Sequence, residues 1–162
     1  MEQVIRLLII DDESRFLDAI ATRLRKRGFD VDTANNGPEA IEKARNKGYD
    51  VALLDLKMPE MDGGQVLKVL KQEHEFLEVV ILTGHGSLES AVELTKLGAF
   101  GYLPKPYELE KLLGTLKDAY ETRLKKKFAS NESIMQEIMS AGLGESPLAI
   151  LRKLRALDDD RK

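Results

Sequence analysis

The chain has 162 residues with 25 basic and 28 acidic side chains, which gives a formal net charge of −3. It has no cysteine, so disulfides, thiolate metal sites and cysteine nucleophiles are excluded. No apolar run is long enough to span a membrane, the first residues lack a signal-peptide pattern, and the slightly acidic balance argues weakly against nucleic acid as the main partner. We therefore expect a cytoplasmic protein without membrane contact, slightly longer than one compact domain needs.

Five short, mostly apolar segments predict β-strands. They are Val4–Ile10, Asp30–Ala34, Val51–Leu54, Val79–Leu82 and Phe100–Leu103. The runs Leu7–Ile10 and Val79–Leu82 are apolar at every position, which is typical of strands buried on both faces of a parallel sheet.

The stretches between and after these strands show the apolar spacing of five helices. Their apolar faces are marked by Leu17, Ile20 and Leu24; Ala40, Ile41 and Ala44; Val66, Leu67 and Leu70; Ala91, Val92 and Thr95; and Leu109, Leu112, Leu113, Leu116 and Tyr120. Gly28, Gly48 and Gly98 each follow a charged helix end, where a left-handed residue is predicted, and Asn36 and Ser87 are predicted to begin helices. Strand and helix alternate five times, so we expect an α/β fold with a doubly wound parallel sheet and helices on both faces.

Polar residues follow four of the five predicted strands. Asp11 and Asp12 come after the first, Asp55 after the third, Thr83 after the fourth and Lys105 after the fifth. In an open parallel sheet ligands bind outside the carboxyl ends of the strands, so these side chains are expected at one edge. Clustered carboxylates repel one another and need either a compensating cation or a raised pKa. Oxygen ligands without histidine or cysteine favour Mg²⁺.

Each of these residues has an ordinary structural explanation when it is taken alone. An aspartate after a strand is often a helix N-cap, and a threonine or lysine in a loop usually faces solvent. The chain has no glycine-rich phosphate loop and no Gly-x-Ser-x-Gly elbow, and its two histidines, His74 and His85, are too far apart to suggest a metal site. A carboxylate beside Mg²⁺ and a lysine can instead act as a nucleophile toward phosphorus.

The combination of residues resembles the receiver domain of two-component response regulators. The matching residues are Asp11-Asp12 after the first strand, Asp55 after Val-Ala-Leu-Leu, Met58-Pro59, Gly63, Thr83-Gly84, and Tyr102 three residues before Lys105-Pro106. The resemblance covers about residues 1–123 with its spacing intact. It implies a flavodoxin-like, five-stranded parallel sheet with strand order 2-1-3-4-5 and five helices.

The resemblance also implies a phosphoacceptor and a metal site. Asp55 would accept a phosphoryl group from the phosphohistidine of a sensor histidine kinase or a His-containing phosphotransfer protein. Asp12, Asp55 and the backbone carbonyl of Lys57 would hold Mg²⁺, while Asp11 would contribute through water.

A second group of implied residues concerns the response to phosphorylation. Lys105 would contact a phosphoryl oxygen, and the Lys105–Pro106 bond is expected to be cis. Thr83 would hydrogen-bond the phosphoryl group, and Tyr102 would move from an exposed to a buried position. These movements would switch the surface formed by the fourth helix, the fifth strand and the fifth helix.

Two rival functions belong to other classes. A phosphatase of the haloacid-dehalogenase type would carry an Asp-x-Asp motif, but Lys57 stands two residues after Asp55 and Glu13 two residues after Asp11. A degenerate, unphosphorylated interaction domain is disfavoured by the complete acidic set. We therefore expect a phosphoacceptor switch that catalyses only its own phosphorylation and dephosphorylation. Lys57 and His85 either set the lifetime of the phosphoryl group or are plain solvated side chains.

Residues 124–162 form a tail that carries eight basic and six acidic residues. Its apolar positions predict an amphipathic extension of the fifth helix, at Leu116, Tyr120, Leu124, Phe128, Met135, Ile138 and Met139. Residues 142–147 interrupt this pattern, and Ser146-Pro147 begins a second short helix with Leu148, Leu151 and Leu154 on one face. We expect residues 1–123 to form the receiver domain and residues 124–162 a helical extension without a complete output domain.

Three interpretations of the tail stay open. It packs on the receiver domain, or it docks a partner or a second copy, which we prefer slightly because a Met- and Leu-rich stripe needs a surface to cover. The third is a reduced helix-turn-helix that uses Lys125–Lys127, Arg152, Lys153 and Arg155 on phosphates. Asp158–Asp160 would repel DNA, so we expect a homodimer through the fifth helix and the tail rather than DNA as a partner.

Overall fold

The computed structural model describes residues 4–56, 58, 61–84, 88–142 and 144–160. For Thr83, Leu88, Ala91, Asp159 and Asp160 it describes the backbone alone. The predicted helix start at Ser87 lies outside the described residues. Within the described ranges, no helix is both long and apolar enough to cross a membrane.

The sheet has five parallel strands in the order β2-β1-β3-β4-β5, which confirms the predicted doubly wound fold. The strands are β1 (Arg6–Ile10), β2 (Asp30–Ala34), β3 (Val51–Asp55), β4 (Glu78–Thr83) and β5 (Gly101–Pro104). β1 lies between β2 and β3, with Leu7 paired to Val31 on one side and to Val51 on the other. The central strands are therefore surrounded by neighbours and helices, as their continuous apolar sequence indicated.

Seven helices occur in the described part of the chain. They are α1 (Ser14–Arg25), α2 (Gly37–Asn46), α3 (Gly63–Glu73), α4 (Leu88–Lys96), α5 (Leu109–Lys127), α6 (Glu132–Ala141) and α7 (Pro147–Asp160). Successive residues of a strand point to opposite faces of a sheet, so β1 contributes to two cores. Leu7 and Ile9 pack in the core that includes α1 and α5, whereas Leu8 and Ile10 pack in the core that includes α2, α3 and α4.

Local signals explain most helix ends. The Asn36 side chain accepts a hydrogen bond of 2.8 Å from the Glu39 N–H and caps α2, as predicted. Gly28 and Gly98 have φ angles of 95° and 113°, the left-handed conformation that glycine adopts at little cost. The same prediction for Gly48 was wrong, because α2 already ends at Asn46 and Lys47 continues in an extended conformation.

The tail differs from the predicted continuous extension of the fifth helix. α5 ends at Lys127, and α6 begins separately at Glu132, where the Asn131 side chain accepts a hydrogen bond of 3.1 Å from the Ile134 N–H. The sequence prediction missed this N-cap. The second tail helix does begin at Pro147, with the Ser146 hydroxyl accepting a bond from the Ala149 N–H.

The tail packs on the rest of the chain. Its buried apolar residues, Ile134, Ile138, Ile150, Leu151 and Leu154, belong to the same core cluster as Leu116, Tyr120 and Leu124 of α5. The apolar stripe that favoured a docking surface is therefore covered by the receiver fold itself. Our slight preference for docking over packing on the receiver was wrong for this stripe.

A network of charged side chains joins the tail to the amino ends of the strands. Asp158 is fully buried and accepts hydrogen bonds from Tyr120 Oη at 2.8 Å, from Lys127 Nζ at 2.6 Å and from Arg155 Nη1 at 3.1 Å. Arg155 Nε also donates to the Val4 carbonyl, next to β1. Lys127 and Arg155 are thus engaged within the chain, and the interpretation that placed them on DNA phosphates was wrong for these two residues.

Candidate functional site

The carboxyl ends of β1 and β3 bring three aspartates together. Ile10 pairs with Leu54 in the sheet, so the residues that follow these positions emerge side by side. Asp11, Asp12 and Asp55 each offer a carboxylate oxygen, and these oxygens lie within 4.8 Å of one another. Asp11 and Asp55 are buried, whereas Asp12 is exposed. The cluster is therefore buried at Asp11 and Asp55 and open to solvent at Asp12.

Lys105, which follows β5, reaches the same cluster. Its Nζ donates a hydrogen bond of 2.7 Å to Asp11 Oδ2 and lies 3.9 Å from Asp55 Oδ1. The peptide bond between Lys105 and Pro106 is cis. The Glu13 N–H donates to the other oxygen of Asp11 at 2.9 Å, so both oxygens of this buried carboxylate have partners. The site thus places one ammonium group between two carboxylates from different strands.

Negative charge predominates among the described residues of this cluster. Three carboxylates and one ammonium group meet here, and two of the carboxylates are buried, where repulsion between like charges is poorly screened. The donors around the cluster are oxygens, which suits a hard divalent cation that keeps several of its waters. Asp11, Asp12 and Asp55 therefore fit a divalent metal ion in both charge and ligand chemistry.

The segment after Asp55 leads into a closely packed start of α3. Asp62 and Gln65 form a capping box, in which each side chain bonds the backbone N–H of the other. A Cβ atom on Gly63 would lie 3.0 Å from Leu56 Cα and 3.2 Å from the Asp55 carbonyl oxygen. Gly63 is therefore required because α3 begins against the backbone next to Asp55.

Sequence reasoning missed two aromatic residues at the site. Lys105 Nζ lies 4.2 Å from the centre of the Phe16 ring, a favourable cation–π distance. Phe16 in turn makes an edge-to-face contact with Tyr107, with ring centres 6.0 Å apart. Phe16 lies on the buried side of α1 and Tyr107 follows the Lys105-Pro106 pair, but neither position carried a sequence signal beyond core packing.

The Tyr107 hydroxyl is buried and has no hydrogen-bond partner among the described residues. Burial raises the pKa of this hydroxyl, and the nearby negative charge of Asp11 raises it further. The group therefore stays neutral and supplies the site with an aromatic wall rather than with a charge.

Comparison with known proteins agrees with this geometry. The family described as the response regulator receiver domain matches residues 7–117, more than half of the chain and all five strand ends. The chain belongs to this family. It is a receiver domain of the two-component response regulators, as the resemblance of its strand-end residues implied.

Curated relatives share this receiver domain within longer proteins. The transcriptional regulatory protein ZraR of Klebsiella oxytoca is 39% identical over 139 residues, which are 85% of this chain and 30% of that protein. The DNA-binding transcriptional regulator NtrC of Escherichia coli K12 is 38% identical over 111 residues, 68% of this chain and 24% of that protein. The chain thus spans less than a third of the length of these relatives.

Solved structures show the same fold. A receiver domain protein from Clostridium thermocellum superposes with a TM-score of 0.71 at 34% identity, covering 74% of this chain and 97% of that one. NtrX from Brucella abortus in complex with ADP gives a TM-score of 0.75 at 29% identity, covering 78% of this chain and 29% of that one. The matched region thus makes up nearly all of the first solved chain and less than a third of the second.

These comparisons do not support the expectation that DNA is an unlikely partner. That expectation rested on composition and on the acidic end of the tail, whereas a relative named above is a DNA-binding transcriptional regulator. Composition reports average charge, and it carries no information about a partner that acts through a particular surface.

The remaining predicted residues of the receiver domain lie around the aspartates or outside the described part. Thr83 ends β4 and pairs in register with Pro104, and its side chain is not described. Tyr102 lies on β5 with 43% of its surface exposed. Lys57 and His85 lie outside the described residues. The structure thus brings together Asp11, Asp12, Asp55 and Lys105, and holds Tyr102 at the surface.

Proposed function

We propose that this receiver domain accepts a phosphoryl group on Asp55 from the phosphohistidine of a sensor histidine kinase or a His-containing phosphotransfer protein. The observation that carries the proposal is the position of Lys105 Nζ, 2.7 Å from Asp11 and 3.9 Å from Asp55, beside three clustered carboxylates. An aspartate that served only to cap a helix would need neither the lysine nor the two other aspartates beside it.

The proposed transfer uses the Asp55 carboxylate as the nucleophile. One of its oxygens forms a bond to phosphorus while the bond between phosphorus and the imidazole nitrogen of the donor breaks, and the donor histidine keeps that electron pair. The product is an acyl phosphate on Asp55, which water can later hydrolyse. The Lys105 ammonium balances charge on the phosphoryl oxygens, because it lies close to Asp55 from the start.

We propose Mg²⁺ as the metal of this site. Asp11, Asp12, Asp55 and the backbone carbonyl of Lys57 would hold it, with Asp11 acting through water. When bound, the ion would neutralise negative charge on the transferring phosphoryl group. The three clustered carboxylates support this proposal, since among the described residues they outnumber the one ammonium group beside them.

We propose that phosphorylation is read at the surface of α4, β5 and α5. Apolar side chains are exposed here, with Val92 45%, Leu97 59% and Tyr102 43% exposed. Thr83 at the end of β4 and Tyr102 on the neighbouring β5 would link the phosphoryl group to this surface. The added charge of about −1.5 to −2 is large enough to bias two arrangements that differ by a few kcal/mol.

Incubation with Mg²⁺ and acetyl phosphate, followed by intact-mass measurement, tests the phosphoacceptor. We expect the mass gain of one phosphoryl group in the natural sequence and none in Asp55→Asn. The matched control is Asp118→Asn, an exposed aspartate on α5, which should still gain the group. Absence of any gain in the natural sequence would sink the proposal, and multiple turnover of a simple phosphoester would favour the rival phosphatase.

A metal titration tests the proposed cation separately. Without Mg²⁺ the phosphorylation should stop, and Asp12→Asn should need a higher Mg²⁺ concentration for the half-maximal rate because an exposed ligand is lost. An identical rate in the presence of a chelator would contradict the metal proposal while leaving Asp55 as the acceptor.

The homodimer through α5 and the tail stays a proposal. The apolar positions that suggested it are largely used inside the chain, although Met139 on α6 remains 66% exposed. Light scattering with and without Mg²⁺ and acetyl phosphate tests it, and a monomeric mass in both conditions would remove the dimer.

A further inference from the structure

A cavity of about 300 Å³ lies at the end of the sheet opposite to Asp55. It is bounded by the start of α7 on one side and by the turn between α1 and β2 on the other. Its apolar wall is formed by Ile5, Phe29, Leu148 and Leu151. This volume is at the lower end of the range for small-molecule sites, and no step of the proposed phosphotransfer uses it.

The charged side chains that line this cavity have a single sign. They are Arg27, Arg152 and Arg155, and none of the described lining residues is acidic. Arg152 is exposed and Arg27 is half-buried, whereas Arg155 is only 6% exposed. Guanidinium groups bind carboxylates and phosphates through paired hydrogen bonds, so an apolar cavity edged by arginines suits an organic anion.

The network beside the cavity does not neutralise this charge. Its two buried carboxylates, Asp50 and Asp158, are in ion-pair distance of four cationic side chains, Arg6, Arg123, Lys127 and Arg155. Among the described residues of this network, the cationic side chains therefore outnumber the carboxylates by two, before Arg27 and Arg152 are considered. Because the chain as a whole has a net charge of −3, this concentration of positive charge is local to one end of the molecule.

We propose that this cavity binds a small organic anion, with a carboxylate or phosphate head at Arg27 and Arg152 and an apolar body against Phe29 and Leu151, while Arg155 stays bonded to Asp158 and the Val4 carbonyl. The ligand would contact both α7 and the residues before β1. Since a ligand that binds the folded state stabilises it, binding would strengthen the attachment of the tail to the receiver fold.

The test is a titration of the full chain with 3-phenylpropionate, followed by NMR of the backbone amides. We expect a Kd on the order of 1 mM for a ligand of this size, with the largest shifts at Gly28, Phe29 and the first turns of α7. The neutral analogue 3-phenylpropanamide should bind at least about tenfold more weakly, because it lacks the charge that the arginines recognise. Acetate, which lacks the apolar body, should also bind more weakly.

A second arm distinguishes the two kinds of head group. Phenyl phosphate is titrated without Mg²⁺ into Asp55→Asn, so that the phosphoacceptor chemistry cannot contribute. Saturable changes in the amide chemical shifts at the cavity with either anion support the proposal. The anion with the lower Kd then shows whether the site prefers a carboxylate or a phosphate head group. Unchanged 3-phenylpropionate binding in Asp55→Asn is expected, which keeps this test independent of the proposed function.

Matched variants locate the binding. Arg152→Gln removes an exposed arginine at the cavity and should raise the Kd about fivefold to tenfold, with a smaller rise in Arg27→Gln. Lys26→Gln removes the same charge from an exposed residue next to Arg27 that does not line the cavity, and should leave the Kd unchanged. The proposal is overturned if neither anion changes the amide chemical shifts at the cavity. It is also overturned if the neutral amide binds as tightly as 3-phenylpropionate, or if Lys26→Gln raises the Kd as much as Arg152→Gln does.

Discussion

Lys105 is held at the phosphoacceptor site by both charge and aromatic contact. Its Nζ bonds Asp11, approaches Asp55 and lies 4.2 Å from the centre of the Phe16 ring. The first two contacts come from residues that the strand-end pattern predicts. The third comes from the first turn of α1, where an aromatic residue is normally read as core packing. The position of this ammonium therefore depends on a residue with no charge of its own.

Replacing Phe16 by leucine should slow phosphorylation. Leucine keeps the apolar surface but removes the ring face, a loss of about 0.5–1 kcal/mol or more for a cation–π contact. We expect the rate with acetyl phosphate to fall about threefold to fivefold, measured from the time course of intact mass.

Phe128→Leu is the control for this substitution. Phe128 also lies beneath a lysine, with Lys127 Nζ 5.4 Å from its ring centre, but it lies at the end of α5 in the tail. Its replacement should leave the phosphorylation rate unchanged. An equal fall in both variants would show that the Phe16 effect is one of general stability.

At the scale of elements, α7 behaves as part of the receiver core. Leu151 and Leu154 are buried in the cluster that also contains Leu116 and Tyr120 of α5. Burial of this apolar face favours the docking of an amphipathic helix, and Asp158 on the same helix adds hydrogen bonds from Tyr120 and Lys127. A tail that lacks its own core is thus ordered by the domain beside it.

Leu154→Ala should destabilise the whole domain. Leu154 is fully buried, and truncation of a buried leucine costs about 2–5 kcal/mol. The free energy of unfolding in urea should fall by this amount in a single transition. Met139→Ala, at a position that is 66% exposed on α6, should change it by less than about 0.5 kcal/mol. A Leu154→Ala protein as stable as the natural one would show that α7 does not remain packed in solution.

At the scale of the whole molecule, the two ends of the sheet have opposite electrostatic character. Among the described residues, the site at the carboxyl end has three carboxylates and one lysine, whereas the network at the amino end has four cationic side chains around Asp50 and Asp158. Asp158 is the tail residue that contributes most contacts to this second group. Burial raises the pKa of Asp158, but hydrogen bonds from Lys127 and Tyr120 and the charge of Arg123 outweigh this and lower it below the ordinary value.

This lowered pKa predicts how stability depends on pH. A carboxyl group with a lower pKa in the folded state stabilises the protein fully above its unfolded pKa of about 4, and this contribution is lost progressively as the pH falls below that value toward the lower folded-state pKa. At pH 7 Asp158→Asn should lower the free energy of unfolding by about 3–5 kcal/mol, because it leaves buried cations without a partner. At pH 3.5 the difference in the free energy of unfolding between the natural sequence and Asp158→Asn should be smaller.

Urea unfolding at both pH values checks the prediction. Asp118→Asn, which alters an exposed aspartate of α5, should match the natural sequence at pH 7 and at pH 3.5. A gap for Asp158→Asn that stays constant between these pH values would contradict the role of the charged carboxylate.

The sequence by itself determined the parts of this protein that depend on local order. Alternating apolar strands and amphipathic helices specify the doubly wound sheet, because each segment's periodicity fixes which faces must be buried. The spacing of Asp11, Asp12, Asp55 and Lys105 placed them at strand ends, which a parallel sheet brings to one edge. The family followed from these same residues.

Only the tertiary structure decided which surfaces meet. An amphipathic stripe shows that a helix face needs to be buried but not against which surface. The sequence therefore slightly favoured docking for a tail whose apolar face packs on α5. The pairing of Asp158 with Lys127 and Tyr120, and the contact of Phe16 with Lys105, join positions far apart in the chain. Such contacts depend on how the helices lie on the sheet, and no local sequence pattern encodes that geometry.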